Sequence, residues 1–140
     1  MKINDVMTPN PKTVKASDSI QTAAQIMRDE DTGAVPVVDG GRVTGMVTDR
    51  DIVIRALADG KFTAKISDVV SDDVITVTQE MSTSEAATLM GEHQIRRLPV
   101  VDASERLVGI VSLGDLAVKE NRDNRMGETL ENISEGVKRH

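Results

Sequence analysis

Residues 6–51 of this chain return, in order, at residues 69–115. With a shift of 63, Val6, Thr13, Val14, Ser19, Ala23, Ala24, Met27, Pro36, Val37, Val38 and Asp39 meet identical residues at Val69, Thr76, Val77, Ser82, Ala86, Ala87, Met90, Pro99, Val100, Val101 and Asp102. One extra residue then makes the shift 64, and Arg42, Gly45, Val47 and Asp51 meet Arg106, Gly109, Val111 and Asp115. A duplication of this length marks one supersecondary unit per copy. Each copy holds a helix, two or three short strands and a closing helix within about fifty residues, too few to bury both faces of its own sheet. The halves are therefore expected to pack against each other with pseudo-two-fold symmetry, in an α+β or α/β fold. The organisation read from the repeat is a first copy over 1–60, a connector over 61–65, a second copy over 66–120 and a tail over 121–140.

In the first copy, Ile3 to Met7 is a short apolar lead-in. It is stopped by Thr8-Pro9-Asn10-Pro11, since two prolines in three residues prevent helix propagation. Thr13-Val14 reads as a stub of strand. Ile20, Ala23, Ala24 and Met27 then fall at i, i+3, i+4 and i+7, one stripe of a helix with Ser19 as its N-cap. Val35 to Val38 is a short buried strand, Asp39-Gly40-Gly41 a tight turn, and Arg42 to Val47 the returning strand of a hairpin. The helix predicted over 49–58 ends near Gly60, a usual stop residue. In the second copy Ser82 and Glu85 form an S-x-x-E capping box. Beyond Lys119, Glu120 to Glu128 reads as a polar tether. Leu130, Ile133 and Val137 then lie on one face of a terminal helix, a stripe expected to dock on its own domain or a twin subunit.

The segments that carry chemistry are Gly45-Met46-Val47-Thr48-Asp49-Arg50-Asp51 and Gly109-Ile110-Val111-Ser112-Leu113-Gly114-Asp115. Each ends a strand and places a hydroxyl residue three positions before an aspartate as a helix begins. A helix N-terminus offers unpaired N–H groups and the positive end of its dipole to an anion, and a hydroxyl can add a donor. One turn further in, an ionised carboxylate accepts two hydrogen bonds from vicinal hydroxyls such as those of a ribose. The same spacing also matches a capping box, in which hydroxyl and carboxylate satisfy the helix's own orphan N–H groups. Both readings fit, and a cap can release its donors to a ligand.

Composition removes several classes. With 17 basic against 23 acidic residues, a net charge of -6 and a pI near 4.9, the chain opposes general binding to nucleic acid or anionic membrane. Phe62 is the only aromatic residue, so stacked single-stranded bases lack a platform and a nucleobase would lie between aliphatic side chains. The absence of cysteine excludes disulfides, thiolate metal sites and Cys nucleophiles. No apolar signal core opens the chain and no run is long enough to span a bilayer, so a soluble cytoplasmic protein is expected. No Ser-His-Asp logic, Walker loop or metal-ligand spacing stands in the sequence, which points away from an enzyme. His93 reads as a surface residue, the methionines as soft core filler, and Asp49, Asp72 and Asp73 as caps and turn residues.

The ordered set V-x-x-x-x-S-x-x-x-A-A-x-x-M, P-V-V-D and G-x-V-[TS]-x-x-D, present twice, resembles a tandem pair of cystathionine-β-synthase (CBS) domains, a Bateman module. The resemblance covers Ile3 to Lys119. Thr48-Asp49-Arg50-Asp51 and His93-Gln94-Ile95-Arg96-Arg97-Leu98-Pro99 are similar to the wording of small stand-alone bacterial members. It implies two β-α-β-β-α repeats with two clefts that take adenosine ligands such as AMP, ADP, ATP or S-adenosylmethionine, with no required cofactor. Carried onto this chain, Asp51 and Asp115 would hold ribose, and Thr48 and Ser112 phosphate. The adenine would be gripped by backbone and apolar residues around Thr13, Val14 and Val35, and around Thr76, Val77 and Leu98.

The copies differ at one informative place. Arg96 and Arg97 stand where the first copy has Gly33 and Ala34, so the halves should grip anions unequally. The expectation is that Arg97, assisted by Arg96, reaches the phosphate of a nucleotide whose ribose is on Asp51. The alternative is that both arginines are solvated or pair with nearby carboxylates. The functional expectation is a non-catalytic regulatory module that binds an adenine nucleotide and signals through a homodimer or an effector protein. Its rival is a ligand-free structural scaffold.

Overall fold

A computed structural model describes residues 1–71 and 73–120, with 118–120 given by their helical backbone alone. The elements run α1 (Ile3–Val6), β1 (Thr8–Pro9), α2 (Ile20–Asp29), β2 (Ala34–Asp39), β3 (Arg42–Thr48) and α3 (Asp49–Arg55). A 3-10 turn (Leu57–Asp59) follows, then α4 (Ile66–Val69), β4 (Val77–Thr78), α5 (Thr83–His93), β5 (Arg97–Val101), β6 (Leu107–Ser112) and α6 (Leu113–Glu120). The fold is mixed α+β and the repeat is plain in it. The expected terminal helix with Leu130, Ile133 and Val137 lies outside the described residues.

Two compact units form, and their boundaries differ from those of the sequence copies. One unit comprises Pro11–Val74 with Glu105–Leu107. Its hairpin pairs β2 with β3 antiparallel from Ala34↔Thr48 to Asp39↔Arg42, with a bulge between Val37 and Val38. The two-residue turn is Gly40-Gly41, at φ of 59° and 84°, a conformation that favours glycine and suits a tight hairpin. The Thr13-Val14 stub is a single parallel bridge from Val14 to Val37. On the sheet pack Ile20, Ala23 and Met27 of α2, Ile52 of α3, and Ile66 and Val69 of α4. Ser19 caps α2 as its sequence predicts, its hydroxyl accepting from Thr22 N at 3.3 Å. Ala24, expected in the buried stripe, is exposed, and Ile26 is half-buried instead. Helix α3 is shorter than predicted. It breaks at Ala56 (φ -120°, ψ -63°), continues as the 3-10 turn, and stops at left-handed Gly60.

The other unit comprises Met1–Asn10, Ile75–Ser104 and the described chain from Val108. Its sheet has the order β1-β6-β5-β4, with β1 antiparallel to β6 and β4 parallel to β5. Ile3 and Val6 of α1 join Val77, Ala86, Ala87, Met90, Leu98, Val100, Val111 and Leu116 in one core. The lead-in that the sequence presents as a preamble to the first copy is therefore part of the unit built on the second. The stretch read as a proline break supplies an edge strand, through Thr8↔Ile110 and Pro9↔Gly109. Proline is tolerated there because an edge strand leaves one side without ladder bonds. The Ser82 cap also differs from the expected box. Ser82 Oγ accepts from Glu85 N at 3.1 Å, but the Glu85 carboxylate takes the serine hydroxyl at 3.1 Å rather than the Ser82 backbone. The backbone around Ser82 is occupied by the N-terminal segment, since Ile3 N donates to Met81 O and Thr83 N to Met1 O.

Candidate functional site

Both Gly-to-Asp segments form strand-to-helix turns of the same construction. Thr48, in extended conformation at the end of β3, accepts from Asp51 N at 3.1 Å, and Asp51 Oδ2 accepts from Thr48 N at 3.0 Å. Ser112, at the end of β6, accepts from Asp115 N at 3.0 Å, and Asp115 Oδ2 accepts from Ser112 N at 3.0 Å. The capping-box reading is thus realised in full at both places. Each aspartate is half-buried and gives one oxygen, Oδ2, to its own backbone.

What surrounds the two turns is not the same. At α3, Asp49 N donates to Gly33 O at 2.9 Å, Arg50 N to Asp49 Oδ1 at 2.8 Å and Asp51 N to Thr48, so the first three N–H groups are all spent within the chain. The Asp49 carboxylate lies against Gly33, where an added Cβ would be 3.1 Å from Oδ2. Asp51 Oδ1 lies 3.9 Å from Arg55 Nε, and Arg55 Nη1 donates to Val69 O at 3.1 Å. Two carboxylates stand at the mouth of this seven-residue helix, so its end is less suited to an anion than one whose N–H groups are open.

At α6 the corresponding first residue is Leu113, whose N–H donates to Arg96 O at 2.8 Å. Among the described residues Gly114 N–H has no partner, Gly114 is exposed, and a Cβ there would meet only Ser112 Oγ, at 3.6 Å. Asp115 Oδ1 likewise has no donor among the described residues. Arg96 is exposed and Arg97, which opens β5, is half-buried. The backbone bond from Leu113 ties this arginine pair to the Ser112–Asp115 turn of its own unit, whereas Asp51 belongs to the other unit. Sequence reasoning missed Asp49, Gly33 and Gly114. Their signal was the exchange of Gly33 and Asp49 in one copy for Arg96 and Leu113 in the other.

The residues expected around adenine divide sharply. Val14, Val35, Val77 and Leu98 are buried in the two cores and present no side-chain surface to a ligand. Val14 has also spent its backbone, donating to Pro36 O and accepting from Val38 N. Thr13 is half-buried and Thr76 exposed, which leaves those two threonines accessible. A hollow of about 550 Å³ opens beside Lys15, Asp39, Gly41, Thr44 and Ser67, at the end of β3 opposite Thr48. None of the expected site residues lines it. Among the described residues no group of His, Cys, Asp or Glu could hold a metal ion, and no helix is long and apolar enough to cross a membrane.

The chain is 44% identical over 133 residues to the CBS domain-containing protein YhcV of Bacillus subtilis, covering 94% of each chain. It resembles the CBS domain pair of protein MJ0100, solved in complex with 5′-methylthioadenosine and S-adenosyl-L-methionine, at TM-score 0.79 and 31% identity. That match covers 87% of this chain and 97% of that one. A structure of CBSX2 in complex with AMP matches at TM-score 0.77 and 28% identity, covering 89% and 98%. The CBS domain model matches twice, at residues 3–57 and 66–119, each span beginning at a short helix and ending beyond a capped Asp51 or Asp115. The chain belongs to the CBS domain family and carries the domain as a tandem pair.

Proposed function

We propose that this protein is a non-catalytic regulatory module that binds an adenosine ligand, with Asp115, Ser112, Arg96 and Arg97 as its principal contacts. The observation that carries the reading is the α6 turn, where among the described residues Gly114 N–H and Asp115 Oδ1 have no partner, and where Leu113 N–H donates to the backbone carbonyl of Arg96, the first of two adjacent arginines. The N–H and the guanidinium forks suit a phosphate or a carboxylate, and the carboxylate oxygen suits a ribose diol. The adenosine ligands of the MJ0100 and CBSX2 structures support this class without choosing among AMP, ADP, ATP and S-adenosylmethionine. Asp51 and Thr48 serve a second, weaker site whose ligand makes no demand for a phosphate at the helix end. Occupancy signals by favouring one state of the protein over another, read by a second copy or by an effector protein.

The rival reading, a scaffold without ligand, is favoured by the two completed capping boxes. Thermal melting separates the two. A ligand at about a hundred times its dissociation constant stabilises by roughly 2.7 kcal/mol. A clear rise in melting temperature with one of AMP, ADP, ATP or S-adenosylmethionine is expected in the unaltered protein. It should be lost in Arg97→Ala and Asp115→Asn, and largely kept in Thr48→Ser. No rise with any of the four supports the scaffold.

A further inference from the structure

The hollow of about 550 Å³ at the end of β3 opposite Thr48 lies wholly within the Pro11–Val74 unit and takes no part in the α6 turn. Local chemistry keeps it open. The Thr13-Val14 stub bridges β2 at Val14 alone, where Val38 N donates to Val14 O at 2.9 Å, and then turns away. That turn is fixed by Asp18 N donating to Lys15 O at 3.0 Å and Lys15 N to Asp18 Oδ2 at 2.8 Å. Ser67 N, in α4, donates to Ala16 O at 2.9 Å and holds the short helix against the same turn. Across from it the bulge between Val37 and Val38 leads into Gly40-Gly41, and a Cβ on Gly40 would meet nothing within 4 Å.

The groups around this space indicate what it takes. Lys15 and Asp39 are the charged residues that line it, one of each sign. Among the described residues the Lys15 ammonium and the Asp39 carboxylate form no side-chain hydrogen bond or ion pair, with each other or with any third group. The nearby Arg106 is turned to Gly40 O, at 3.2 Å. The hydroxyls of Ser17 and Ser67 also have no partner among the described residues, and Thr44 Oγ1 donates to Val37 O at 3.3 Å, which leaves its oxygen as an acceptor. Val38 and Val70, both half-buried, add apolar surface. A simple anion would satisfy Lys15 and be repelled by Asp39, and a simple cation the reverse. A molecule with both charges a few bonds apart satisfies both at once. We propose that this hollow binds a free α-amino acid with a short aliphatic side chain, its carboxylate on Lys15, its ammonium on Asp39 and its side chain against Val38 and Val70.

Titration of the full, carbon-13-labelled chain with L-valine, followed through the methyl signals of Val38 and Val70 in NMR spectra, tests this. Saturable shifts of those methyls are expected, with a dissociation constant on the order of 1 mM or below. Isobutyrate and isobutylamine, each carrying one of the two charges, should bind at least about tenfold more weakly. Lys15→Met and Asp39→Asn should each weaken L-valine by about tenfold or more, as for loss of a charged hydrogen bond. Both residues are exposed, so melting of the ligand-free variants should match that of the unaltered chain. Isobutyrate binding as tightly as L-valine would make the hollow an anion site and overturn the inference, as would unchanged L-valine affinity in Asp39→Asn. The absence of saturable shifts with glycine, L-alanine, L-valine and L-leucine up to about 20 mM overturns the site altogether. So does L-valine binding that emerges only when residues 121–140 are removed, because the tail would then be the occupant. The adenosine reading fails or stands separately. Asp115→Asn, in the other unit, should lose the nucleotide-induced melting shift and bind L-valine unchanged.

Discussion

Gly45 and Gly109 are fixed by what crosses them rather than by their backbone angles, since neither has a positive φ. A Cβ on Gly109 would stand 2.5 Å from Met7 Sδ and 2.9 Å from Thr8 O. One on Gly45 would stand 2.9 Å from Val70 Cγ2 and 3.3 Å from Ser71 O. The glycine of each copy thus lets a segment just past a short helix lie flat on the sheet. Gly109→Ala is expected to destabilise by about 1–3 kcal/mol, as overpacking does. Gly45→Ala should cost less, because its one approach under 3.0 Å is to a valine methyl, whereas a Cβ on Gly109 would also stand 2.9 Å from a backbone oxygen. Urea denaturation of both variants tests the order, and a Gly45→Ala that costs more than Gly109→Ala contradicts it. The capping hydroxyls make a second comparison. Ser112→Ala should lose about 0.5–2 kcal/mol, the usual cost of an N-cap, while Ser112→Thr keeps the acceptor and nearly all the stability. Equal losses in the two variants would show that the hydroxyl does not cap α6.

At the scale of elements, local chemistry was written plainly and partner choice was not. The hairpin turn at Gly40-Gly41, the Ser19 cap and the stop at Gly60 all follow from short-range rules, and all are present. Nothing local says which sheet Thr8-Pro9 will edge, and two prolines nearby argue against any strand. Nor could periodicity alone tell that Ala24 faces out while Ala87, its equal in the repeat, is buried. At the candidate site the paired hydroxyl and aspartate were legible. The free Gly114 N–H and the saturated α3 terminus were not, because they depend on which carbonyls the loops bring near. The clearest consequence concerns α1. Residues so near a chain end are usually tolerant of change. Ile3 is nevertheless fully buried, and so is its counterpart Ile66 in α4. Ile3→Ala and Ile66→Ala should each cost about 2–5 kcal/mol, the range for such truncations in a packed core. Thermal or urea melting that finds Ile3→Ala neutral would detach α1 from the core assigned to it.

For the whole molecule, the exchange of α1 and α4 decides which pieces of the chain can fold. A fragment cut to the first sequence copy, 1–60, carries α1, whose partners lie in the second copy, and lacks Ala64, Ile66 and Val69 from its own core. A fragment cut to the compact unit, 11–74, contains every residue of that core. Of its unit it lacks the edge supplied by Glu105–Leu107, where Leu107 N donates to Gly41 O at 3.0 Å. Burying an isoleucine or valine contributes about 1.5–3 kcal/mol. Losing Ile66 and Val69 together therefore removes an amount comparable with the roughly 5–15 kcal/mol by which whole domains are stable. The 11–74 fragment should melt cooperatively by circular dichroism, and 1–60 should not, despite its similar length and its match to the duplicated sequence. Mixing 1–60 with 61–140 should recover a cooperative transition, because each then supplies the helix that the other lacks. If 1–60 alone unfolds as cooperatively and at as high a temperature as 11–74, the short helices are ornaments on self-sufficient copies, and the units drawn from the structure are not its folding units.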